Sequence, residues 1–153
     1  MKKRRLGIVG LLAIGLVLVL SSCGGGSSKS LTKEQFAAKA NALCVSFNNE
    51  VKKAGSPKTT AEAITYFNKL LPLDKKLVAD VDKLKPPAGD EASVNRIVTL
   101  GKEQVTRAEA LVAAIQKKDL TLANKLSKEG SANSKESKTL FNKLGIKECA
   151  KSS

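Results

Sequence analysis

Residues 90–118 carry the sequence DEASVNRIVTLGKEQVTRAEALVAAIQKK, in which apolar side chains recur every three or four positions. That spacing places them on one face of an α-helix, whereas a half-buried strand would alternate apolar and polar residues. Asp90 is a residue type that caps helix starts, and Lys117 and Lys118 suit the negative end of a helix dipole. The stretch therefore predicts an amphipathic helix. Its apolar face comprises Val94, Ile97 or Val98, Gly101, Val105, Ala108, Leu111 or Val112, and Ile115.

Two segments before this stretch show the same period. The first helix is predicted over residues 33–54, after a capping box made by Thr32 and Gln35. The second is predicted to begin after a capping box of Thr59 and Glu62 and to run to about residue 84.

Pro72 lies inside the second helix, and the apolar phase continues across it, which favours a kink over a break. A fourth helix is predicted from Asp119 to a Schellman stop at Gly145, although its middle, residues 130–137, is polar and weak in helix propensity. Four helices joined by short turns predict an all-α protein, an up-down-up-down four-helix bundle.

The N-terminal residues have the three-part pattern of an export signal. Four basic residues precede an uncharged apolar run from Leu6 to Leu20, and small residues follow it. The run is shorter than the ~20 residues of a permanent membrane span, which disfavours an uncleaved anchor. The motif Leu20-Ser21-Ser22-Cys23 resembles the lipobox of bacterial lipoproteins.

That resemblance implies cleavage before Cys23, a diacylglyceryl thioether on its sulfur and acylation of the freed amine. Residues 1–22 are then the signal peptide, 23–31 the lipidated cysteine with a Gly/Ser tether, and 32–153 the bundle with a C-terminal tail. Several acyl chains hold a protein firmly to a bilayer. The protein is therefore expected at the cell membrane, anchored by lipid on the extracytoplasmic face.

Two cysteines remain after Cys23, namely Cys44 and Cys149. An oxidising compartment and a tail just long enough to reach back along the first helix favour a disulfide over two unpaired thiols. The segments around these cysteines, Phe36–Cys44 and Leu144–Cys149, together with the Leu84-Lys85-Pro86-Pro87 break, resemble small helical lipoproteins of uncharacterised function from actinobacteria. The resemblance implies the fold and the cysteine pairing, and it implies no activity.

The net charge and the composition indicate which classes of partner are plausible. Four of the 27 Lys and Arg lie in the signal, which leaves 23 against 14 acidic residues, a net charge of about +9. This excess favours a solvated surface, with attraction to anionic lipid or wall polymer as the functional alternative. Nucleic acid is a poor candidate partner, since no basic motif has interleaved aromatics. No protein partner is indicated.

The chain has no histidine, which excludes histidine-ligated metals and haem as well as Ser-His and Cys-His nucleophile pairs. We therefore expect no catalytic residues, no metal site and no cofactor, so the protein is not expected to be an enzyme. Leu70, Leu71, Pro72 and Leu73 would form either an apolar groove or, as is favoured, packing around the kink. The leading hypothesis is a non-enzymatic binding or envelope-structural module, and the alternative is a carrier of an apolar small molecule inside the bundle.

Overall fold

Five helices run through residues 30–151, the part of the chain that this computed structural model describes. No strand occurs among these residues, and the four long helices pack against one another, so the predicted all-α bundle is confirmed. The helices are α1 (Lys33–Ala54), α2 (Thr60–Asp82), α3 (Glu91–Gln116), α4 (Leu120–Leu144) and the short α5 (Lys147–Ala150). The proposed signal peptide, Cys23 and most of the tether lie outside the described residues.

The start of α1 has the predicted capping box. The Gln35 backbone N–H donates to Thr32 Oγ1 (3.2 Å), and the Thr32 N–H donates to Gln35 Oε1 (3.0 Å). The second box is only half formed. Thr59 Oγ1 accepts from the Glu62 N–H at 3.2 Å, but the Glu62 carboxylate accepts from the Lys58 N–H at 2.7 Å. Both helices nevertheless begin where the sequence predicts.

The start of α3 differs from the prediction in one respect. Asp90 occupies the N-cap position, but its side chain makes no capping hydrogen bond. Its carboxylate lies instead 3.7 Å from Lys33 Nζ. A tertiary ion pair has thus replaced the local cap.

The ends of the other helices follow local rules. Asp119 Oδ1 accepts from the Leu122 N–H at 3.0 Å and caps α4. Gly145 is left-handed at φ 76°, and the Ile146 N–H donates to the Phe141 carbonyl at 2.8 Å, which is the predicted Schellman stop. The polar middle of α4 is helical throughout, and α2 continues through Pro72 to Asp82, two residues short of the prediction.

Successive long helices pack against each other in chain order, and α5 contacts both α1 and α4. The main core cluster lies at the end of the bundle where α1 and α3 begin and α4 ends. Away from that end α4 contributes little, because Leu144 is its only buried residue, whereas α3 has nine. The cluster comprises Phe36, Ala40, Cys44, Val94, Ile97, Leu144, Ile146 and Cys149.

Candidate functional site

Cys44 and Cys149 lie at disulfide distance, with their Cα atoms 5.2 Å apart and 105 residues between them in sequence. The tail reaches Cys44 without being extended, because residues 147–150 coil into α5 and bring Cys149 beside α1. Both cysteines are buried in the core cluster.

Two asparagines on α1, missed by the sequence analysis, hold the tail in place. Asn41 Nδ2 donates to the Gly145 carbonyl at 3.1 Å, and Asn41 Oδ1 accepts from the Glu148 N–H at 2.8 Å. Asn48 Nδ2 donates to the Glu148 carbonyl at 3.1 Å. Asn41, Cys44 and Asn48 share one helical face because they are three, four and seven positions apart. Polar residues flanking a cysteine on that face are the signal that could have found this contact.

The four residues considered for an apolar groove do not share one environment. Leu70 is buried, with 6% of its surface exposed, whereas Pro72 is exposed. Leu71 is half-buried, and Leu73 borders a shallow surface pocket of about 90 Å³. They therefore do not present a common binding surface.

A larger pocket lies between the helices, beside the cysteine pair. Its volume is about 230 Å³, and residues from all five helices line it. The wall formed by α2 and α3 is mainly apolar, while α4 supplies amide and hydroxyl groups. The lining residues are Cys44, Phe47, Asp74, Leu77, Val78, Val81, Ile97, Val98, Leu100, Gly101, Gln104, Val105, Asn133, Ser134, Ser137, Phe141 and Cys149.

Small side chains in the middle of α4 leave this space unfilled. Asn133, Ser134 and Ser137 face the pocket where a bundle core usually has Leu or Phe. On the opposite side, Gly101 lets α3 approach α2 so closely that a Cβ at this position would lie 2.7 Å from Val78 Cγ2. α2 and α3 are therefore tightly packed at Gly101, and the space of the pocket lies beside the small polar side chains of α4.

Asp74 is the only charged residue among those described that lines the pocket. It is half-buried, and no hydrogen bond or ion pair joins its carboxylate to another residue within 30–151. Burial raises the pKa of Asp74 to about 6 from an ordinary value of 3.8. An acid in this position is unusual, because removing an unpaired carboxylate from water is costly.

The two lysines that directly follow Asp74 in sequence have other partners. Lys75 Nζ lies 2.6 Å from a Glu109 carboxylate oxygen, and Lys76 pairs with Asp80. Asp74 was not among the predicted site residues, although the sequence contains a signal for it. It falls on the apolar stripe of α2, three positions before Leu77 and seven before Val81, where the helical period calls for an apolar residue.

Three lysines of α4 lie apart from its two acids. Glu136 pairs with Arg96 (2.7 Å) and Glu129 lies 3.8 Å from Arg107, so both acids are directed to α3. The exposed lysines at 128, 135 and 138 fall within an arc of roughly 80° on the outer side of the helix. None of the three takes part in an ion pair among the residues described. We call these three residues the α4 lysine face.

In comparisons with known proteins, no family model, no curated protein and no solved structure matches this chain. Between residues 30 and 151, no helix is both long and apolar enough to cross a membrane. The same residues contain no group of three or more Cys, Asp or Glu side chains placed to hold a metal ion.

Proposed function

We propose that this chain is a lipid-anchored, non-enzymatic module on the extracytoplasmic face of the cell membrane, and that it binds phosphate-bearing envelope material through the α4 lysine face. The observation that carries the binding is the position of these three lysines on the outer side of α4, away from its acids. Because Arg96 and Arg107 engage the acids of this helix, the α4 lysine face carries positive charge that no ion pair within residues 30–151 neutralises. Lys125, on the same helix but outside this face, lies 4.0 Å from Glu129. Lysine ammonium groups bind phosphates as point charges.

Two features support the location. The Leu20–Cys23 motif has the residues that lipid attachment requires. Cys44 and Cys149 lie at disulfide distance, and disulfides persist in oxidising compartments outside the cytoplasm.

The alternative, a carrier of an apolar small molecule, has weaker support. Pockets for drug-sized ligands usually measure ~300–1,000 Å³, and the pocket between the helices has about 230 Å³. It also contains the Asp74 carboxylate, which a purely apolar ligand would leave without a partner.

The test is binding of a soluble version, residues 30–151, to vesicles containing phosphatidylglycerol and, separately, to soluble polyphosphate. Changing Lys128, Lys135 and Lys138 together to Gln should weaken binding up to ~100-fold at low salt, at ~1 kcal/mol per charge near an anionic surface. The matched control changes exposed lysines outside α4, Lys39, Lys52 and Lys117, and alters net charge equally.

The control variant should lose only a few-fold in affinity. Binding of the wild type should weaken as the salt concentration rises toward the physiological value. Equal losses of affinity in the two triple variants would show that binding depends on net charge alone and not on the α4 lysine face. Absence of wild-type binding at low salt would exclude the proposal. Binding to only one of the two probes would identify the source of the phosphate as lipid or polymer.

A further inference from the structure

The pocket between the helices has a feature that surface binding of phosphate does not use. Its walls are largely apolar, and the one charged group that residues 30–151 place there is the Asp74 carboxylate, which has no partner among those residues. Leu77, Val78 and Val81 follow Asp74 along α2, so that the carboxylate and the apolar wall belong to the same helix face.

An apolar wall with one carboxylate favours one class of ligand. An organic cation supplies the charge that the carboxylate lacks, and an apolar group attached to it displaces water from the leucine and valine wall. A neutral apolar molecule would leave the carboxylate dehydrated and unpaired. An anion would be repelled by it.

We propose that the pocket between α2, α3 and α4 binds a small organic ammonium ion with an apolar substituent, and that the Asp74 carboxylate is its charge partner. The volume of about 230 Å³ restricts the ligand to a size near one aromatic ring or a short alkyl chain with its ammonium group. Gln104 lines the pocket and is exposed, so the pocket reaches the protein surface. This inference stands independently of the α4 lysine face.

The charged groups around the pocket leave Asp74 available. Gln104 is held by Arg107, whose Nη1 donates to Gln104 Oε1 at 3.1 Å and whose Nε lies 3.8 Å from Glu129. Asn133 donates to Glu103 at 2.9 Å.

The two lysines that follow Asp74 on α2 are also engaged. Lys75 pairs with Glu109, and Lys76 pairs with Asp80. Neither α1 nor α5 contributes a charged residue to the lining.

Binding of the cation should depend on ionisation of Asp74. Because burial raises the pKa of Asp74 to about 6, the ionised fraction in the empty pocket rises about tenfold between pH 5 and pH 7. Affinity for an ammonium ligand should rise by about the same factor. A neutral ligand should show no such dependence.

The experiment uses the mature chain, residues 23–153, in zwitterionic lipid nanodiscs and follows backbone amide NMR shifts of pocket residues. The probes are benzylammonium, benzyl alcohol and benzoate, which share one ring and differ in charge. Benzylammonium should shift the amides of Asp74, Gln104 and Asn133 at pH 7 and bind about tenfold more weakly at pH 5. Asp74→Asn should weaken its binding at least ~10-fold at pH 7. Asp82→Asn, the same change at an exposed position of α2, should not.

Three results would overturn the proposal. Equal binding of benzyl alcohol and benzylammonium would make the pocket a purely apolar site. Unchanged benzylammonium binding in Asp74→Asn would remove the charge partner. No shift of the pocket amides at a benzylammonium concentration of ~10 mM, far above the Kd of ordinary small ligands, would show that the pocket takes no such cation.

Discussion

Replacing Asp74 by Asn should make the protein more stable near neutral pH. The two side chains have nearly the same shape, but Asn carries no charge that must be removed from water. Burial raises the Asp74 pKa from 3.8 in the unfolded chain to about 6 in the folded one. The folded state therefore binds the proton more tightly, and stability falls as pH rises through this interval.

The size of the effect follows from that difference in pKa. A shift of about two units corresponds to ~3 kcal/mol once the carboxyl is ionised in both states. At pH 3.5 it is protonated in the folded state and mostly protonated in the unfolded one, so the effect is less than ~0.5 kcal/mol. The free energy of unfolding of Asp74→Asn should thus exceed that of the wild type by up to ~3 kcal/mol at pH 7.5 and by almost nothing at pH 3.5.

Urea unfolding followed by circular dichroism at both pH values measures this gain. Asp82→Asn is the control, because Asp82 is exposed and lies 2.9 Å from Lys102 Nζ. Asp82→Asn should lower the free energy of unfolding by no more than ~1 kcal/mol, as for other surface ion pairs. A gain for Asp74→Asn that is equal at both pH values, or no gain at pH 7.5, would refute the placement of an unpaired carboxylate in the pocket.

Three further changes test the packing. Gly101→Ala should destabilise by ~1–2 kcal/mol despite its better helix propensity, since its Cβ would overlap Val78. Gly130→Ala, where the nearest atom outside the helix backbone would be 3.6 Å away, should instead stabilise by up to ~1 kcal/mol in the same urea assay. Equal signs for the two glycines would contradict the tight α2–α3 contact. Asn41→Ala should cost ~2–3 kcal/mol of stability because it leaves two part-buried backbone groups unpaired, and the exposed Asn49→Ala should be nearly neutral. Equal effects of the two changes would show that α5 is held by other contacts. Thiol labelling of the denatured, unreduced protein should modify neither cysteine of the 44–149 pair, and its reduction should cost up to ~4.7 kcal/mol in the chain-entropy model. Quantitative labelling of both would show that the disulfide does not form.

The sequence predicted the features whose causes are local. The limits of α1, the cap of α4 and the Schellman stop at Gly145 each depend on residues within one or two helical turns, and all three are as expected. Thr59 likewise caps α2 as predicted. The helical period also identified α4 despite its polar middle.

The features that the sequence did not predict depend on tertiary contacts. Asp90 pairs with Lys33 on another helix instead of capping its own. The tail coils into α5 because Asn41 and Asn48, about 100 residues away in sequence, bind its backbone. The pocket could not be foreseen either, since its volume depends on how closely α4 approaches α2 and α3. Asp74 was detectable as a charged residue on an apolar stripe, but its lack of a partner is visible only in three dimensions.

The most direct test of the proposed lipid-anchored module is the intact mass of the protein extracted from the membrane fraction of cells that express the full chain. We predict a chain of residues 23–153 carrying a diacylglyceryl group and a further acyl chain on Cys23. Substitution Cys23→Ala should abolish the lipid and leave the signal uncleaved or the protein released. A chain that begins at Met1, or a mature chain with unmodified Cys23, would contradict the anchor and with it the proposed location.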